Sequence, residues 1–108
     1  MAGPARLFSP RVLVILATDD GSEPKEQEIQ TTNADLVLWD RTRNTKRWPK
    51  FDDAPFLWLT FISWAAMRRT GVIPVGMKYE DYEAKTLSIA NADDDEPVDP
   101  TQTGPGPV

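Results

Sequence analysis

Five consecutive aliphatic residues, Val12-Leu13-Val14-Ile15-Leu16, interrupt an otherwise mixed N-terminal stretch. A run of this length suits a strand buried on both faces, although periodicity alone leaves a helix open. The following Asp19-Asp20-Gly21-Ser22-Glu23-Pro24 carries turn chemistry. Gly21 tolerates positive φ, and Asp20 and Ser22 can hydrogen-bond the nearby backbone. Residues 26–31 then read as a second strand, with Ile29 as its strongly apolar member. The two strands predict a β-hairpin.

Thr32-Asn33-Ala34-Asp35 reads as a helix start. Thr32 or Asn33 can accept backbone N–H groups, and Asp35 suits the positive end of the helix dipole. This helix should reach about Arg43 and present Leu36, Val37 and Trp39 or Asp40 on neighbouring turns. It must stop by Trp48-Pro49, because proline restricts the residue before it. Asp52-Asp53-Ala54-Pro55 opens the strongest element, with an Asp able to cap and Pro55 tolerated in the first turn. From position 56 to 67 only Thr60 and Ser63 are not apolar. Arg68 and Arg69 complement the negative end of that helix, and Gly71 suits the position just past it. A shorter amphipathic helix is predicted over 79–89, anchored by Tyr82, Leu87 and Ile89.

These elements predict a small α+β domain over residues 11–91: an N-terminal β-hairpin followed by three helices. Residues 1–10, with two prolines and no period, predict a loose arm. Residues 92–108 turn acidic and then rich in Pro and Gly, which predicts a disordered tail. At 108 residues the chain suits one domain with a modest core.

Charge sharpens this division. The net charge is -5, and Asp93, Asp94, Asp95, Glu96 and Asp99 supply all of it, because no Lys or Arg follows them. The other twelve acids balance the twelve bases. The acidity therefore belongs to the tail, where it should favour solubility.

The chain has no His and no Cys. A thiolate nucleophile, a His general base and the usual Cys/His zinc site are excluded. Asp19-Asp20, Asp52-Asp53 and Glu80-Asp81-Glu83 lack calcium-loop spacing, and each has a structural role as turn or helix start. No phosphate-cradling glycine loop is present. We expect no catalytic residue, cofactor or metal. Residues 12–17 lack a small-residue cleavage site, so no signal peptide is expected. The apolar stretch from Phe56 is too short for a span, which needs about 20 residues, so no membrane partner is expected.

A helix apolar on all faces needs cover all round. Most of that cover should come from the domain itself, as a central core helix. A domain this small has few segments left to cover every aromatic, so part of the helix should face a partner or a second copy. The candidate partner-binding residues are Trp39, Trp48, Phe56, Trp58, Phe61 and Trp64. Arg41, Arg43, Lys46, Arg47 and Lys50 cluster around Trp48, a pattern that can hold nucleic acid. A solvated helix end explains it more simply, and nucleic acid is not an expected partner.

Three stretches carry a family resemblance. They are Gln30-Thr31-Thr32-Asn33-Ala34-Asp35-Leu36-Val37-Leu38-Trp39-Asp40-Arg41-Thr42-Arg43, the pair Trp48-Pro49, and Ala54-Pro55-Phe56-Leu57-Trp58-Leu59-Thr60-Phe61-Ile62-Ser63-Trp64-Ala65-Ala66-Met67-Arg68-Arg69-Thr70-Gly71. Together with Asp99-Pro100-Thr101-Gln102, they resemble the tail assembly chaperones of long-tailed phages that infect actinobacteria. The resemblance covers most of residues 11–102 and is weakest in the arm and the hairpin. It implies a non-enzymatic protein that binds and solubilises the hydrophobic tape-measure protein and helps recruit tail-tube subunits. It further implies action in the host cytoplasm during assembly and absence from the finished virion. Such proteins are often made in two lengths by frameshifting. This chain would be the short form, with Gly104-Pro105 as a candidate slippery site. Two alternatives belong to other classes: a structural virion protein such as a connector or minor tail subunit, and a small nucleic-acid-binding or regulatory module.

Overall fold

The structure, a computed structural model, describes residues 8–92. The elements run β1 (Arg11–Leu16), β2 (Lys25–Gln30), α1 (Asn33–Lys46), α2 (Pro55–Thr70), α3 (Tyr79–Lys85) and β3 (Thr86–Asn91). The strands form one antiparallel sheet in the order β2-β1-β3. The α+β architecture and the hairpin are as expected; the third strand is not.

The hairpin closes through local hydrogen bonds. The Ser22 N–H and hydroxyl both donate to Asp20 Oδ1, at 3.0 and 2.7 Å. Thr18 Oγ1 donates to the Ser22 carbonyl at 2.9 Å, and Gly21 takes φ 81°. The bonds from Ser22 hold the Asp20 carboxyl down at about 2. Register pairs Val12 with Ile29 and Val14 with Gln27. Ser9 and Pro10 are tied to the end of β2: their carbonyls accept from Gln30 Nε2 at 2.9 Å and from Thr31 Oγ1 at 2.7 Å. Residues 1–7 of the expected arm and 93–108 of the expected tail, including Gly104-Pro105, lie outside the described residues, and Ala92 is buried.

β1 corrects one expectation. Val12 and Val14 are fully buried against the helices, but Leu13, Ile15 and Leu16 are only half-buried. One face of the sheet is packed and the other is partly open. A continuous apolar run thus serves a central strand with a single covered face, because its neighbours supply side-to-side cover as well.

The predicted helix over 79–89 is a second correction. The helix ends at Lys85, and Thr86 turns extended at φ -79° and ψ 112°. Residues 86–91 pair with the free edge of β1, setting Ile89 against Val14 and Leu13 against Ala90. The open edge of β1 outweighs the helical period of a short segment, because pairing satisfies several backbone groups along the segment at once. The Ala17 N–H, donating to the Lys85 carbonyl at 2.9 Å, locks the crossover.

α1 runs one turn beyond expectation, to Lys46, and ends on Arg47 in the left-handed region at φ 58°. The Thr32 N–H donates to Asp35 Oδ2 at 2.9 Å, the reciprocal half of a capping arrangement. α2 starts with Ala54 at the cap and Pro55 at the first position, so neither Asp52 nor Asp53 caps it. Asp53 and Ala54 instead donate their N–H groups to the Lys50 carbonyl in a turn. Gly71, at φ 82°, closes the helix as expected.

α2 is the centre of the domain. Every residue from Leu59 to Met67 is buried, against the sheet, α1 and α3. The two hydroxyls of that buried stretch are satisfied inside the core. Thr60 Oγ1 donates to the Phe56 carbonyl at 2.6 Å, and Ser63 Oγ donates to the Thr60 carbonyl at 2.9 Å. The Ser63 and Tyr82 hydroxyls also share a buried hydrogen bond of 2.7 Å. Burial pushes the Tyr82 phenol up to about 12 and raises that of Tyr79 further. Among the described residues, no helix is long and apolar enough to cross a membrane.

Candidate functional site

The six candidate residues divide into an interior set and a surface set. Trp39, Phe61 and Trp64 are 3%, 2% and 8% exposed. They form an aromatic cluster with Trp48 and Tyr79, in which ring centroids lie 5.2 to 5.8 Å apart. The tilted and edge-on geometries are those that aromatic quadrupoles prefer. The Trp64 indole N–H donates to the Met77 carbonyl at 3.0 Å, which fixes the ring against the loop before α3. These three side chains hold the fold together and offer a partner little surface. Trp48 is half-buried and reaches the cluster from the loop after α1.

A cavity of about 360 Å³ opens over this cluster, with Trp48, Phe61, Trp64 and Tyr79 in its wall. Lys46, Arg68 and Lys78 line its rim with Glu80. Lys46 Nζ lies 5.8 Å from the Trp48 ring, and the Arg68 guanidinium lies 4.3 Å over Trp64. Arg68 Nε is buried without a hydrogen-bond partner. The cavity therefore suits a small apolar group with a carboxylate beside it.

The basic cluster predicted around Trp48 is partly structural. Arg43 Nε donates to the Pro49 carbonyl at 3.1 Å, and the Trp48 N–H donates to the Arg43 carbonyl at 3.0 Å. Both bonds shape the loop that seats Trp48. Lys46 covers the same ring.

The surface set lies at the other end of α2. Phe56 is 68% exposed, and Leu57 and Trp58 are half-buried. Phe51, 52% exposed in the loop before α2, packs its ring 5.0 Å from that of Trp58. On the opposite side of the same turn a groove of about 380 Å³ separates Phe56 and Thr60 from the start of β3. Leu87, 57% exposed, forms its far wall. Four large apolar side chains, Phe51, Phe56, Trp58 and Leu87, thus lie around the first turn of α2, and all but Trp58 are more than half exposed.

Sequence reasoning missed Phe51 and misplaced Leu87. Phe51 stands alone between polar residues, and its only signal was its position three residues after Trp48. Leu87 was assigned to a helix anchor, but a bulge between Ile15 and Leu16 in the pairing with β3 leaves it facing outward. Asp19 pairs with Lys85 at 2.6 Å, and Asp20 closes the turn. Among the described residues, no group of three potential ligands could hold a metal ion.

Compared with protein-family models, curated proteins and solved structures, the chain matches none.

Proposed function

We propose that this chain is a phage tail assembly chaperone that binds the tape-measure protein and keeps it soluble until tail-tube subunits enclose it. The observation that carries the reading is the uncovered first turn of α2, where Phe56, Phe51 and Trp58 meet solvent. The domain buries its other aromatic residues of α1 and α2 thoroughly, so this exposure is local. An apolar ridge of this kind pairs with the apolar stripe of a long helix, helix against helix. The cavity beside Trp48 adds a place for an apolar anchor next to an acidic residue. The family resemblance supplies the identity of the helix.

Co-expression with the tape-measure protein encoded nearby in the same genome tests this. A soluble tape-measure protein that co-purifies with the chain supports it. A tape-measure protein that stays insoluble, together with recovery of this chain from purified virions, replaces it with a structural role in the particle.

A further inference from the structure

Among the described residues, Arg68 Nε is the buried side-chain polar atom left without a hydrogen bond. An unpaired buried donor is costly, and a guanidinium is best satisfied by the two oxygens of a carboxylate. Arg68 is half-buried and lines the cavity of about 360 Å³ over the aromatic cluster, within reach of a ligand there. Its neighbours on the rim are uncommitted as well. Among the described residues, Lys46 and Lys78 have no carboxylate partner, and Glu80 is the acid that lines the cavity with them. In a body whose acids and bases balance, this is a local excess of positive charge. The cavity also continues past its rim. Leu38 and Arg68 line a second hollow of about 410 Å³ between α1 and α2, which reaches Val37 and Arg41. Arg68 therefore stands where an aromatic-walled cavity meets a further stretch of apolar and basic surface.

We infer that these joined hollows dock a segment of a partner protein in which a bulky apolar residue is followed by Asp or Glu. The apolar side chain enters the cavity, and the carboxylate pairs with Arg68. Charge complementarity selects an acid, and the aromatic wall selects the apolar neighbour. Two hollows that share Leu38 and Arg68 make a track longer than one side chain, which suits a peptide segment. Nucleic acid fits less well. Its bases stack on open ring faces, and here Lys46 and Arg68 already lie over the Trp48 and Trp64 rings. That the segment belongs to the tape-measure protein rests on the function proposed above; the chemistry of the site does not.

The test is titration of the full chain with a blocked peptide, acetyl-Ser-Gly-Phe-Glu-Gly-Ser-amide, to millimolar concentration, read by the indole N–H signals of Trp48 and Trp64. The expected result is a saturable shift of both. Glu replaced by Gln in the peptide should bind about tenfold more weakly, and Phe replaced by Ala should abolish binding. Arg68→Met keeps an apolar stem over Trp64 and removes the charge. It should weaken the Glu peptide about tenfold and leave the Gln peptide unchanged, a coupling that general loss of structure does not produce. Lys78→Gln, at the exposed rim, should weaken the Glu peptide about two- to threefold, and it carries the test should Arg68→Met fail to fold. Equal affinity for the Glu and Gln peptides overturns the inference, as does binding of neither. Shifts produced by oligo-thymidylate and not by the peptide reject it in favour of nucleic acid. A chain that binds no peptide yet solubilises the tape-measure protein rejects this site alone and leaves the proposed function standing.

Discussion

Arg69, in the last turn of α2, grips Asp35, in the first turn of α1, through two hydrogen bonds of 3.2 and 2.9 Å. Asp35 is almost wholly buried, while the Arg69 side chain keeps about a third of its surface in solvent. The same carboxylate accepts the Thr32 N–H. One buried acid thus fastens the start of α1 to the end of α2 and holds the backbone that enters the helix.

Asp35→Ala should destabilise the domain by about 1–3 kcal/mol, because it strands a cap N–H and removes a charge-assisted fork. The partly exposed guanidinium keeps the cost from reaching that of a fully buried pair. Arg69→Met should cost at least as much as Asp35→Ala, because it strands an almost wholly buried carboxylate that keeps only the Thr32 N–H. Urea unfolding of the two variants and the double variant measures the coupling. A clearly smaller cost for Arg69→Met would show that the cap, and not the ion pair, carries the contribution of Asp35.

Tyr82 sets an alkaline limit. Its folded value of about 12 stands above the ordinary 10.0, so the neutral phenol is favoured in the folded state. Its contribution to stability is whole below pH 10 and is lost as pH rises toward 12. Thermal unfolding should show Tm falling over that window, and Tyr82→Phe should flatten part of the fall. Tyr79, raised by burial beside Glu83, should account for a further part. Loss of the Ser63 hydrogen bond in Tyr82→Phe should cost about 0.5–1.5 kcal/mol at neutral pH, as Ser63 retains the Thr60 carbonyl.

Partner binding and folding should separate along α2. Trp64→Ser removes an interior ring and should destabilise by about 3–5 kcal/mol. Phe56→Ser alters an exposed side chain and should stay within about 0.5 kcal/mol of the parent, while abolishing tape-measure solubilisation. Trp58→Ser, half-buried against Phe51, should fall between them in stability and lose solubilisation. Normal solubilisation by folded Phe56→Ser and Trp58→Ser variants would remove the first turn of α2 from the binding surface.

Much of the architecture was legible because it rests on local chemistry. Asp20, Gly21 and Ser22 specify a turn through their own short-range bonds. Pro55 and Gly71 bracket α2 through the backbone conformations they allow. The apolar run of residues 56–67 marks its helix as central, because no amphipathic reading fits it. The candidate site was legible only in part. Composition showed that a helix this apolar in so small a domain would leave some surface uncovered. It did not say which aromatics, since Trp39, Phe61 and Trp64 differ from Phe56 and Trp58 only in what packs on them.

The sequence by itself determined the hairpin, the start of α1, the bounds of α2 at Pro55 and Gly71, the neutral body and the acidic end. Each depends on residues close in the chain, whose propensities and hydrogen bonds act regardless of distant partners. Tertiary structure alone decided that 86–91 is a strand, that Leu87 faces outward, and that Asp35 meets Arg69. Those outcomes rest on contacts across long stretches of chain. The open edge of β1 offers residues 86–91 more backbone hydrogen bonding than a short, isolated helical turn can, and only the assembled sheet presents that edge.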